Sequence, residues 1–138
     1  MYFTTLSGGR YQLSRKREGA SRGYSGLDLE IYDAYSGGGR NVDTLSGGEL
    51  FLASLSLAFG LSDVVQSYSG GVRLESIFID EGFGTLDEET LNTAMKALFE
   101  IQKSGRTVGI ISHVAELKSR IPAQIRILDD HKIKVVLP

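Results

Sequence analysis

Asp80 and Glu81 stand side by side at the end of an apolar run, Ile77-Phe78-Ile79, and His113 follows Ser112 at the end of a second one, Val108-Gly109-Ile110-Ile111. Carboxylates at the carboxyl end of a parallel strand lie on the edge where open α/β sheets bind ligands. Because successive strand side chains diverge, Asp80 can help hold a divalent cation while Glu81 faces an attacking water as general base. Ser46-Gly47-Gly48-Glu49 precedes an apolar helical run. Its two glycines would let a phosphate approach exposed amides at a helix start, with the Ser46 hydroxyl adding a bond. The same four residues also form S-x-x-E, a capping box that satisfies those amides internally. Asp87, closing Gly84-Thr85-Leu86-Asp87, reads equally as a helix N-cap or as a reacting group. His113 taken alone reads equally as a structural histidine. The order of the four elements argues for a shared phosphate site, since Asp80, Glu81 and His113 leave one edge of neighbouring strands and Gly84 to Asp87 follows directly.

That site is incomplete. G-x-x-x-x-G-K-[ST], whose amides and lysine hold β- and γ-phosphates, occurs nowhere between Met1 and Pro138. Charge points the same way: residues 41–100 carry two Lys/Arg against ten Asp/Glu, whereas 1–40 carry six against four and 101–138 seven against three. Acid gathered around a triphosphate needs a cation and basic groups from elsewhere. The expectation is half of a composite site, completed by another polypeptide segment.

The elements that must position these residues follow from periodicity. Residues 10–15 and 27–31 alternate apolar with polar, as paired antiparallel strands do. The Gly-, Ser- and Arg-rich stretch from Glu18 to Gly26 connects them, and Ser36-Gly37-Gly38-Gly39 reads as a second flexible tip. Arg15-Lys16-Arg17 with Arg22 reads as a solvated loop, with contact to a nucleic-acid backbone as the alternative. From Glu49 to about Gln66, Phe51, Leu52, Leu55, Ala58, Phe59 and Val65 recur at helical spacing, and Gly70-Gly71 ends that element. A buried strand over 74–80, a helix over 88–103 burying Leu91, Met95, Leu98 and Phe99, and a buried strand over 107–112 make a βαβ unit with parallel strands. A short helix over 114–120 and a hairpin of 124–128 with 132–136 close the chain.

At 138 residues with 41% apolar side chains, the chain fits one domain. The apolar stretches read as shorter than the roughly 20 residues that span a bilayer, and no secretory signal pattern opens the chain. Zero cysteines exclude disulfides and thiolate metal sites.

The motifs L-S-G-G-E, four apolar residues and D-E, G-T-L-D, and S-H resemble those of ABC-type ATPases, although transporters usually carry glutamine where Glu49 stands. The strings from Ser54 to Asp63, Phe78 to Asp87 and Gly109 to Val114, with Ile121-Pro122-Ala123-Gln124-Ile125, are similar to SbcC-type double-strand-break repair ATPases over nearly the whole chain. The resemblance implies an α/β fold: the C-terminal lobe of an ABC-type P-loop NTPase head, mainly parallel sheet with flanking helices and antiparallel hairpins, spanning residues 1–138 without the phosphate-binding loop or the coiled coil. It implies ATP and Mg²⁺ as cofactors. Ser46, Gly47, Gly48 and Glu49 would meet the γ-phosphate of ATP bound to a second head, Asp80 would be the metal-associated carboxylate, Glu81 the water-activating base, His113 the γ-phosphate sensor and Asp87 part of the loop crossing the dimer interface. The implied partners are the N-terminal lobe of the same protein, a second head in a homodimer, an SbcD-type nuclease and DNA, with no membrane; the implied location is the cytoplasm, at the nucleoid. The fragment alone is expected to be inactive.

Three other readings compete. An SMC-type or transporter-like ATPase lobe is disfavoured by Gly82-Phe83-Gly84-Thr85 and by the chain after His113. A two-metal nuclease built on Asp80, Glu81, Asp87 and Glu88 lacks an obvious basic clamp. A DNA- or protein-binding scaffold leaves the glycine pair and the strand-end acids unexplained.

Overall fold

The computed structural model describes residues 1–16, 28–68, 74–129 and 131–138. The expected connection from Glu18 to Gly26, Arg17 and Arg22, and the Gly70-Gly71 break lie outside the described residues.

A short helix α1 (Tyr2–Leu6) leads into strands β1 (Tyr11–Arg15), β2 (Leu29–Asp33) and β3 (Gly38–Asn41), which pair antiparallel in that order. Helix α2 (Gly47–Tyr68) follows, then β4 (Ser76–Asp80), α3 (Glu88–Lys103) and β5 (Thr107–Ile111) as a βαβ unit with β4 and β5 parallel. Helix α4 (Ala115–Arg120) and the antiparallel pair β6 (Gln124–Ile127) and β7 (Ile133–Val136) complete the chain. The mixed α/β architecture therefore joins two antiparallel sheets to one parallel pair.

One core sits where the helices meet. Phe3 and Leu6 from α1, Leu52, Leu55 and Phe59 from α2, and Leu91, Met95 and Leu98 from α3 are all buried together. Helix α3 is well delimited: Asp87 caps its start by accepting from the Thr90 amide at 2.8 Å, Glu88 and Glu89 lie at the positive dipole end, and Gly105 follows at φ 98°.

The expected elements recur, with five corrections. The tip at 36–39 is a tight turn over 34–37 followed at once by β3, because Gly37 at φ 69° reverses the chain and the Gly37 amide donates to the Asp33 carbonyl at 2.9 Å. Helix α1 went unread, since five residues with two threonines show no period and the helix is held by Phe3 and Leu6 in the core. Ala58, Val65 and Phe99 are exposed, while Ser56 and Ser62 are buried in their helix; the Ser56 hydroxyl satisfies itself on the Leu52 carbonyl at 2.6 Å. Helix α2 does reach membrane-spanning length, with 22 residues and a mean hydropathy of 1.5, yet one face is in the core and Glu49 and Asp63 both pair with arginines, as suits a core helix. Finally, β4 and β5 are not buried strands: Phe78 is 74% exposed and Ile111 57%. Among the described residues the helices cover one side of this pair, and Phe78 and Ile111 on the other side face outward.

Candidate functional site

The carboxyl edge of the parallel pair assembles Asp80, Glu81 and His113. The Glu81 amide donates to the Ile111 carbonyl at 2.9 Å, which carries the ladder one residue beyond β4. The chain then turns through two consecutive left-handed residues, Glu81 at φ 58° and Gly82 at φ 95°. For a non-glycine residue this conformation costs about 1 kcal/mol or more and is retained where the surroundings fix it. So turned, the Glu81 carboxylate lies against His113, with Nδ1 at 3.2 Å from Oε1 and 3.0 Å from Oε2. Both side chains are open to solvent, and the exposed Asp80 carboxylate has no hydrogen-bonding or ionic partner among the described residues.

Behind this edge stands the start of α2. The Phe51 ring occupies the space where a side chain at Gly82 would begin: a Cβ there would lie 2.2 Å from it. Phe51 also meets the buried Phe83 edge-on at 5.0 Å. The glycine pair divides its labour. Gly48 is buried against the next turn, where a Cβ would fall 2.9 Å from the Thr85 carbonyl oxygen. Gly47 is exposed, with nothing nearer to such a Cβ than 4.0 Å.

The S-x-x-E sequence does form a capping box. The Glu49 amide donates to Ser46 Oγ at 3.3 Å, and Glu49 Oε2 accepts from the Ser46 amide at 2.8 Å. This does not displace a phosphate role for Ser46, because an exposed hydroxyl that accepts one bond still has its proton to donate. Glu49, however, is fully engaged inward. Arg40 Nη2 approaches its Oε2 at 3.2 Å, Arg10 Nη1 stands 3.9 Å from Oε1, and the Tyr11 hydroxyl donates to Oε1. Burial pushes the Glu49 carboxyl up, but the Tyr11 bond, the Ser46 amide and hydroxyl and the Arg40 charge outweigh it and leave the group below its ordinary value. Burial, followed by the bond to Glu49 and its charge, pushes the Tyr11 phenol up to about 12. Arg10 is itself oriented by Asp33 at 3.2 Å and lies over the Tyr11 and Tyr35 rings at 4.6 and 5.0 Å.

Arg10, Tyr11 and Arg40 escaped the motif reading because they lie 39, 38 and 9 residues from Glu49 and match no motif; only the paired-strand pattern hinted that they share a sheet. Asp87 acts as the helix cap, with its carboxyl lowered first by the Thr90 amide and then by the Thr90 hydroxyl, yet remains at the surface. As to a cation, no three His, Cys, Asp or Glu side chains converge among the described residues. One free carboxylate beside a second is the donor set expected for Mg²⁺ shared with phosphate oxygens and water, which needs no protein cage.

The fold places the chain in a class: it superposes on head domains of SMC ATPases. One such structure, from work on ATP-driven dimerisation and DNA-stimulated activation of SMC ATPases, matches with a TM-score of 0.69 over 98% of this chain and 77% of that one, at 20% identity. The SMC head domain from Thermotoga maritima gives 0.60 over 99% and 44%, at 16% identity. The family model "SbcC/RAD50-like, Walker B motif" matches residues 21–100, and the chain belongs to that family. Curated relatives named as the C component of the nuclease SbcCD agree: the chain is 63% identical over 117 residues to that of Staphylococcus haemolyticus, covering 85% of this chain, and 56% identical over 126 residues to that of Staphylococcus aureus strain JH9, covering 91%. In both cases the chain spans 12% of the relative's length.

Proposed function

We propose that this chain is the C-terminal lobe of an ATPase head that binds and hydrolyses ATP between two heads, and that the assembled protein thereby controls an SbcD-type nuclease acting on DNA ends in the cytoplasm. The observation that carries this reading is the half-built edge: Asp80, Glu81 and His113 lie exposed at the end of a strand pair whose Phe78 and Ile111 are bare. A lobe supplying the phosphate-binding loop would both cover that apolar face and place a nucleotide at that edge. Bound Mg²⁺ would neutralise phosphate charge beside Asp80. Glu81 accepts a proton from water, His113 orients that carboxylate and faces the terminal phosphate, and Asp87 lies on the loop approaching the second head. Across the interface, Ser46 and Gly47 offer a hydroxyl and a helix-start amide to the other head's nucleotide. Glu49 serves this by bracing the turn, since its charge is already balanced by Arg40 and Arg10 and would otherwise repel a phosphate. Binding across two heads couples nucleotide occupancy to dimerisation. A two-metal nuclease is less well supported, because no third ligand joins Asp80 and Glu81 among the described residues.

The test is reconstitution. Mixing this chain with the N-terminal lobe of the same protein should produce ATP hydrolysis that neither piece shows alone, and Ser46→Arg in the two-lobe protein should block ATP-dependent dimerisation while nucleotide still binds. Hydrolysis by this chain alone, or undiminished dimerisation of Ser46→Arg, overturns the reading.

A further inference from the structure

The two ends of the proposed reaction, the helix tip that meets one nucleotide and the carboxylate that acts on another, are packed against each other inside a single copy of this chain. Three observations define the contact. The Phe51 ring fills the position of a Gly82 side chain, at 2.2 Å from a Cβ built there. The same ring meets Phe83 edge-on at 5.0 Å. One turn earlier on α2, Gly48 lies against the Thr85 carbonyl, so that tip and loop touch through backbone as well. The residue immediately before Gly82 is Glu81, held at φ 58°. A left-handed pair of residues is two-valued, since relaxing to negative φ swings the preceding side chain away. Phe51, standing in the notch that Gly82 leaves, opposes that relaxation sterically.

We propose that Phe51 is a positioning residue for Glu81, and that through it the α2 tip reading one nucleotide sets the carboxylate that hydrolyses the nucleotide held by its own head. This rests on the function proposed above and adds to it a direction of coupling. An α2 tip displaced by even a fraction of an ångström carries its ring with it. Glu81 then gains or loses its alignment with His113 without any contact between Phe51 and substrate.

Full-length protein carrying Phe51→Leu tests this. Its kcat should fall by about tenfold or more, as small misplacements of a reacting group do, while KM for ATP and ATP-dependent dimerisation stay within about twofold of the parent. Gly82→Ala, which drives a Cβ into the ring, should produce a comparable loss. In the double variant the two losses should multiply to less than independent effects would, because the smaller leucine side chain eases the contact with the added methyl group while the strain of a side chain at φ 95° stays. Mixed dimers give the direction. With Glu81→Gln in one head, adding Phe51→Leu to that same head should leave the residual rate unchanged, whereas adding it to the other head should cut that rate by about tenfold. The reverse pattern would mean that Phe51 acts across the interface, and it overturns the proposal. So does an unchanged kcat, or a kcat that falls only in step with dimerisation, in a parent that dimerises and turns over. A parent that fails to dimerise with ATP overturns the underlying function as well, so the two failures are distinct.

Discussion

Glu81 and His113 face each other across the ends of β4 and β5, with His113 Nδ1 within 3.2 Å of both carboxylate oxygens. Neither is buried, so their alignment owes nothing to a surrounding pocket and depends on the left-handed turn at Glu81 and the ladder bond to Ile111. In the assembled protein, Glu81→Gln keeps the shape but not the basicity. ATP binding and dimerisation should persist while turnover falls by roughly 10²-fold or more. His113→Ala should lower kcat by a smaller factor. Steady-state hydrolysis alongside sedimentation in ATP checks both, and full turnover by Glu81→Gln would remove Glu81 from its assigned role.

The neighbouring glycines should respond in opposite ways. Gly48→Ala presses a methyl group to 2.9 Å from a backbone oxygen that cannot swing aside. The expected cost is about 1–3 kcal/mol of stability, read by denaturant unfolding of this chain. Gly47→Ala enters open space on a helix and should leave stability unchanged or raise it by up to about 1 kcal/mol. Its effect should appear instead in ATP-dependent dimerisation of the assembled protein, which weakens if a phosphate approaches that amide.

The Glu49 cluster gives stability a signature at both ends of the pH scale. The Glu49 carboxyl is held below its ordinary 4.5, so the stability it contributes is fully present above that value and is lost as pH falls through the lower, folded one. The Tyr11 phenol is raised from 10.0 to about 12, so its contribution is complete below pH 10 and lost as pH rises from 10 to about 12. Tyr11→Phe removes the phenol and its bond to Glu49. The variant should show a shallower alkaline decline between pH 10 and about 12, Tyr2 keeping the share that its own raised phenol contributes, and should unfold at a higher pH on the acid side. Chemical denaturation across both ranges measures this, and identical profiles for parent and variant would refute the pairing.

Asp63 on α2 ties α1 to the connection before β5: it accepts from the Tyr2 hydroxyl at 2.7 Å and pairs with Arg106, whose side chain is 16% exposed. Burial raises the Asp63 carboxyl, and Arg106 and Tyr2 more than reverse this. Asp63→Ala strands a mostly buried guanidinium and should cost about 1–2 kcal/mol, discounted from a fully buried pair because Asp63 remains partly in water. Tyr2→Phe should cost less, and a double-mutant cycle between positions 2 and 63 should show coupling.

What the sequence disclosed depended on how local the signal was. The βαβ unit, the limits of α3 and the place of Asp80, Glu81 and His113 were all legible, because apolar periodicity, an acid cap and a terminal glycine lie within a few residues of one another. The Glu49 clamp was not, since Tyr11 and Arg10 reach it from a strand and its approach nearly forty residues earlier. The exposure of Phe78 and Ile111 was equally hidden: an apolar run states that a strand is meant to be covered, not what covers it. The turn before β3 was misread because three glycines look alike in sequence, although only Gly37 has a positive φ.

In the closing hairpin, Ile125 faces Val135 and Ile127 faces Ile133, so one side of the ribbon is wholly aliphatic while Arg126 and Lys134 mark the reverse. A two-stranded plank of this kind is adhesive in water. Solubility, rather than melting temperature, is therefore the property of the separate lobe most sensitive to assembly: dilute samples should remain dispersed, concentrated ones should clump, and a fitting complement should clear the turbidity.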